Sequence, residues 1–132
     1  MAAYRWRGKG TALRALPHVR PGAESRPETL VRLALVDAGL PEPELGACVY
    51  DTDGRFLARV DMVFHAYRVV VEYDGDHHRV DRYTFDRDLG RIDDLTAHGW
   101  RVVRIAGRGF FREPTDAVRR VRRALLAGGW VP

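Results

Sequence analysis

Apolar and polar residues follow two different rhythms along this chain, and the changes of rhythm mark its elements. The first firm element opens at Ser25-Arg26-Pro27-Glu28, where Ser25 and Glu28 have capping-box spacing and the proline suits a first helical turn. Leu30, Val31, Leu33, Ala34 and Leu35 then supply an apolar helix, stopped by Gly39 with Pro41 beyond. Three runs of strand character come next. Residues 45–50 lead into an Asp51-Thr52-Asp53-Gly54 turn, and residues 55–64 alternate Phe56, Ala58, Val60 and Met62 with more polar partners. Residues 68–74 contain Val69-Val70-Val71, and the short links between the three runs predict an antiparallel meander. A polar segment over 75–83 precedes a helix over 84–98, with Phe85, Leu89, Ile92 and Leu95 at helical spacing and Gly99 as its stop. Residues 100–105 read as a short strand with Trp100 packed beneath it. Residues 114–126 read as a basic terminal helix with Val118, Val121, Leu125 and Leu126 inward.

The predicted order is helix, three strands, helix, strand, helix. A meander followed by a crossover helix and a further strand gives a mixed sheet packed by helices, an α/β (α+β) class. No internal repeat or low-complexity tract interrupts it. Residues 1–24 read as a leader- or linker-like segment, with a short helix over 11–16. Residues 25–132 read as one domain of ordinary size.

Charge changes the picture more than bulk composition does. The hydrophobic fraction of 45% suits one buried core, and the net charge is +4. Residues 1–27 carry six basic side chains against one Glu, and residues 97–132 carry eight Arg against one Asp and one Glu. Residues 61–96 reverse the balance, with nine acids against five Arg. An acidic middle between basic ends suits a metal-dependent nuclease, in which carboxylates hold a cation and arginines neutralise phosphates. A solvated surface rich in arginine, with Lys9 as the one lysine, accounts for the balance equally well. Cys48 is the single cysteine, which excludes an intrachain disulfide and a thiolate zinc cluster. The absence of a signal-like or membrane-spanning run predicts a cytoplasmic location.

The candidate chemistry lies in that acidic middle. Asp61 stands where the second strand is expected to end, and Glu72 and Asp74 lie two apart on the third, hence on one face. A hairpin can bring Asp61 beside Glu72. Carboxylates inside apolar strand text are costly unless they are paired, with Arg59 or Arg68 as available partners, or metal-bound. Magnesium takes oxygen ligands, often one or two carboxylates plus waters, and a bound divalent ion lets phosphodiester hydrolysis proceed near neutral pH.

Several ordered blocks then carry a resemblance. They are Arg59-Val60-Asp61-Met62, Val70-Val71-Glu72-Tyr73-Asp74-Gly75 with His78, Asp88 with Arg91, and Gly99-Trp100-Arg101-Val102-Val103-Arg104. Together they resemble a bacterial family of endonuclease-like domains similar to the very-short-patch-repair mismatch endonuclease, in the PD-(D/E)xK superfamily. The resemblance runs from about Ser25 to Leu126. It implies a restriction-endonuclease-like fold and a Mg²⁺- or Mn²⁺-dependent endonuclease acting on DNA; a metal-dependent enzyme acting on RNA or a small phosphoester is a weaker rival. It also implies metal ligation by Asp61, Glu72, the Tyr73 carbonyl and Asp74, with Glu28 either reaching the metal or capping back to Ser25. Asp74 stands at the position the superfamily usually gives to lysine, so Asp74 would recruit a second metal and His78 would act as the acid/base group. The same substitution motivates an alternative, a catalytically silent nucleic-acid-binding or protein-interaction module on the same fold. Arg91 either pairs with Asp88 on the helix surface or reaches the site or a phosphate. Arg104 would face the substrate, and Arg119 and Arg122, in a cluster with Arg120 and Arg123, would meet the nucleic-acid backbone or solvent. His77, His65, His98 and His18 have no role in this scheme.

Overall fold

The computed structural model describes residues 26–75 and 82–132. Its elements are α1 (Arg26–Asp37), β1 (Glu44–Tyr50), β2 (Phe56–Phe64), β3 (Val69–Asp74), α2 (Arg82–Ala97), β4 (Arg101–Ala106), α3 (Gly107–Arg112) and α4 (Pro114–Ala127). A 3₁₀ turn, His65–Tyr67, joins β2 to β3. The mixed α/β class is as expected, and α3 and the 3₁₀ turn are additions to the predicted order. Both are too short for periodicity to register.

Three helices end by one device written plainly in the sequence. Leu35, Leu95 and Leu125 each stand four residues before a glycine at positive φ, namely Gly39, Gly99 and Gly129. In each case the following residue, Leu40, Trp100 or Trp130, donates its N–H back to that leucine's carbonyl, at 3.2, 3.0 and 2.9 Å. These are Schellman stops, and each buried leucine ties the helix end to the core.

The sheet has the order β1-β2-β3-β4. β1–β2 and β2–β3 pair antiparallel, and β3–β4 pair parallel across the α2 crossover. Asp51 fixes the first hairpin by accepting from the N–H groups of Asp53 and Arg55, both at 2.8 Å. β2 and β3 are the inner strands, and Val69, Val70 and Val71 of β3 are wholly buried because both faces of the sheet are covered there. One core cluster joins Val31 and Leu35 of α1, Met62, Val69, Val71, Val103 and Ile105 of the sheet, and Val118, Val121 and Leu125 of α4. The second, on the α2 side, joins Val63, Val70, Leu95 and Trp100 with Val49, Ala58 and Val60. Ala58 and Val60 share strand parity with Met62 yet pack in the other cluster. The β1–β2 ribbon therefore turns over along its length, and the turn falls at Asp61.

Two expected core residues are exposed instead, Leu89 and Leu126. The sheet face beneath α2 carries carboxylates, so the inward stripe of α2 runs through Arg91 and Leu95 rather than Leu89. On α4, Ala117, Val118, Val121 and Leu125 complete the buried stripe without Leu126. Among the described residues no helix is long and apolar enough to cross a membrane.

Glycine supplies a paired test of this frame. A Cβ at Gly90, inside α2, meets nothing within 4 Å, whereas Gly99 has a φ of +88. Gly90→Ala is expected to stabilise the protein by about 1 kcal/mol through helix propensity. Gly99→Ala is expected to destabilise it by about 1–2 kcal/mol through the left-handed backbone. Denaturant unfolding of both variants checks this, and equal signs would contradict it.

Candidate active site

The site forms where two strands part company. β2 and β3 pair through Phe64–Val69, Val63–Val70 and Met62–Val71, and no further. One more step of that register puts Asp61 opposite Glu72, with both side chains on one face. There the backbone ladder gives way to a crossed pair of side-chain bonds. The Asp61 N–H donates to Glu72 Oε2 at 2.9 Å, and the Tyr73 N–H donates to Asp61 Oδ2 at 2.8 Å. Each carboxylate thus satisfies a main-chain donor of the opposite strand. Asp61 lies within β2, three residues before its end; what stops beside it is the pairing with β3.

The row continues onto β4, where Arg104 pairs in register with Glu72. Its guanidinium reaches along the sheet to Asp74, with Nη2 at 2.7 and 2.6 Å from the two carboxylate oxygens. From α2, Arg91 Nη2 donates to Glu72 Oε1 at 2.8 Å and lies 3.6 Å from Asp88. Both oxygens of Glu72 are therefore engaged. Arg91 Nη1 and Arg104 Nε are buried without a hydrogen-bond partner among the described residues.

Burial, the largest influence, pushes the Asp61 carboxyl above the usual carboxylate range; the Tyr73 N–H and Arg91 pull it down, and the charges of Glu28 and Asp74 push it up again. Burial likewise raises Glu72, against the Asp61 N–H and Arg91, and Asp61's own charge adds to the rise. Burial, the largest single influence, pulls the Arg91 guanidinium down, and its bond to Glu72 together with the charges of Glu72, Asp88 and Asp61 holds it above its ordinary value. Five acids, Asp61, Glu72, Asp74, Asp88 and Glu28, thus gather around Arg91 and Arg104.

The residues suit a divalent cation. Their donors are all oxygens, Asp61 and Glu72 are desolvated, and Asp61 keeps one oxygen clear of the Tyr73 bond. On a strand the N–H and C=O of one residue point to the same side, so the Tyr73 carbonyl faces the fork as its N–H does. No group of three or more His, Cys, Asp or Glu among the described residues is arranged to hold a metal. Two carboxylates and a carbonyl match the habits of magnesium, which keeps several waters. A cleft of about 600 Å³ opens beside Glu72 and Arg91, walled by Phe56 and Ala58 of β2 and by Arg87 and Gly90 of α2.

The sequence-predicted residues divide. Asp61, Glu72, Asp74, Arg91 and Arg104 come together, and Glu28 is close enough for its charge to be felt at Asp61. Asp74 is committed through both oxygens to Arg104. Arg119 pairs with Asp116 on the exposed side of α4, and Arg122 stacks on Trp130, its Cζ 5.4 Å from the ring centroid. α4 packs against the sheet face opposite the carboxylates, so these two arginines are not brought to the site. Arg59 and Arg68 do not pair with Asp61: Arg59 lies against Gly46, and Arg68 bonds the His98 carbonyl and stacks on Trp100. His78, His77 and Ser25 lie outside the described residues. The cleft residues Phe56, Arg59 and Arg87 escaped sequence reasoning. Phe56 reads in sequence as an ordinary apolar strand position, and only the structure shows its side chain 59% exposed at the cleft.

The chain belongs to the restriction-endonuclease-like REase_MTES_1575 family, whose model matches residues 31–125. It is 33% identical over 119 residues to two Mycobacterium tuberculosis proteins, "Uncharacterized protein Rv2248" of strain ATCC 25618 / H37Rv and "Uncharacterized protein MT2308" of strain CDC 1551 / Oshkosh. Those alignments cover 90% of this chain and 44% of each relative, so the chain spans less than half the length of the curated relatives it matches. No solved structure gives a significant match.

The raised carboxyls make a pH prediction. A carboxyl raised on folding adds stability that is complete below its unfolded pKa and lost as pH rises through its folded one. Asp61→Asn, neutral at every pH and still able to accept from the Tyr73 N–H, is expected to melt above the wild type at neutral pH in chelator. The gap should close as pH falls below about 4, where ordinary carboxylates protonate. Melting temperatures of the two proteins across pH provide the measurement, and a pH-independent gap would sink the idea.

Proposed function

We propose that this chain hydrolyses phosphodiester bonds of DNA as a metal-dependent endonuclease, using Mg²⁺ or Mn²⁺. One observation supports this above the others: the crossed Asp61–Glu72 clasp at the fork, two desolvated carboxylates held in fixed orientation with a strand carbonyl beside them. Asp61, Glu72 and the Tyr73 carbonyl would hold the cation. When bound, it would stabilise charge on the phosphate and lower the pKa of an attacking water.

The chain's own groups do the rest. The two main-chain N–H bonds keep the carboxylates from rotating, so the ligand geometry is set before substrate arrives. Asp74 orients Arg104, a permanent cation beside Glu72, toward charge developing on the phosphate. Glu28, from the first turn of α1, adds to the negative field that draws a cation in. His78 is proposed as the acid/base group, since a histidine titrates near neutral pH. An open cleft with arginines at its rim suits one strand of a nucleic acid, and a cytoplasmic location goes with that substrate. Action on mismatched DNA, as the very-short-patch-repair likeness implies, is the finer form of the proposal.

A second reading has its own support. Glu72 and Asp74 are both already neutralised by arginines, a state that needs no metal, as in a silent nucleic-acid-binding or protein-interaction module.

Incubation with supercoiled, linear, single-stranded and mismatched DNA, and with RNA, in Mg²⁺ or Mn²⁺ separates the readings. The expected outcome is cleavage of at least one DNA form that falls by about 10²–10³ in Glu72→Ala. Intact substrates throughout, or equal cutting by the variant, would overturn the nuclease reading; salt-sensitive DNA binding without turnover would favour the silent module.

A further inference from the structure

The proposed metal site has an occupant of its own. Glu72 Oε2 accepts from the Asp61 N–H, and Glu72 Oε1 accepts from Arg91 at 2.8 Å. A cation that uses Glu72 therefore competes with a guanidinium, and a guanidinium does not escape by losing its proton. It leaves only by moving. The room is there, because the cleft that exposes Glu72 is lined by Arg91 itself together with Arg87 and Gly90. Gly90 precedes Arg91 on the helix and puts no side chain into that space. Arg91 also carries an unmet need: Nη1 is buried without a partner among the described residues, so its contact with Glu72 uses only part of its donor fork. Asp88, 3.6 Å away and one turn earlier, would hold the side chain near the cleft once Glu72 is given up.

We infer that Arg91 is a positioning residue that couples metal binding to phosphate binding: it latches Glu72 in the metal-free protein and, displaced by the cation, turns its guanidinium fork to a nucleic-acid phosphate in the cleft. The inference rests on the metal site proposed above. A guanidinium fork fits phosphate oxygens two at a time, which its single bond to Glu72 does not exploit. Coupling of this kind is reciprocal. The cation binds weakly while Arg91 holds Glu72 and more tightly once a phosphate offers Arg91 another partner. DNA in turn is held better when the cation is present. The site then loads fully only with substrate in place, which protects it from idle metal uptake.

Two measurements test the latch without relying on turnover. Calorimetric titration with MnCl₂ compares wild type, Arg91→Met and Arg91→Gln, with Asp61→Asn marking the site. Arg91→Gln keeps a donor for Glu72 without the charge, and so answers the question if Arg91→Met does not fold. Both Arg91 variants are expected to bind Mn²⁺ about fivefold or more tightly than wild type. Fluorescence anisotropy with a short DNA duplex, in Ca²⁺ and in chelator, should show a Ca²⁺-dependent gain for wild type that the Arg91 variants lack. Mn²⁺ affinity unchanged or weakened in a folded Arg91 variant, or a Ca²⁺ gain that persists in it, would overturn the latch while leaving the metal site standing. Mn²⁺ binding absent from wild type and from both Arg91 variants would overturn the metal site and the latch with it.

Discussion

Where β2 leaves β3 the backbone ladder stops, and two main-chain N–H groups at the fork take side-chain acceptors instead of carbonyls. A buried donor without a partner costs about 1–3 kcal/mol, so the fork has to be filled. Asp61 and Glu72 fill it, each accepting from the strand that carries the other. The same two bonds that make the fork tolerable also aim the carboxylates. Structural need and candidate chemistry therefore reside in one pair of residues, and α2 and β4 bring Arg91 and Arg104 beside it. The turn of the β1–β2 ribbon at Asp61 opens the cleft on one side of it.

Electrostatics complete the arrangement. Five acids gathered around this space would repel strongly, and two arginines offset part of that. Arg104 is fixed by Asp74 and stays close to the sheet, whereas Arg91 reaches down from a helix and touches Glu72 through one bond. The two cations differ in how firmly they are held, and this difference separates a standing countercharge from a displaceable one. Burial, ahead of the neighbouring charges, is what raises the Asp61 and Glu72 carboxyls.

The family match spans residues 31–125, which includes the fork, both arginines and the cleft. The mycobacterial relatives are more than twice as long as the region they share with this chain. The terminal-helix arginines lie away from the candidate site, since α4 covers the opposite side of the sheet.

The sequence by itself determined the elements and their ends. Helical and strand periods, the Leu-x-x-x-Gly stops, the Asp51 turn and acids embedded in valine-rich strands are all local patterns, and local sterics and burial enforce them. It also singled out Asp61, Glu72 and Asp74 as the residues that needed explaining. Only the tertiary structure decided what those residues touch. Arg91 meets Glu72 across 19 residues and Arg104 meets Asp74 across 30, through strand register and helix rotation that no local pattern encodes. For the same reason Leu89 reads as core and is exposed: the period of a helix reports that one face is buried, while the partner surface decides which. Here that surface is a row of carboxylates, and it takes an arginine where the pattern suggests a leucine.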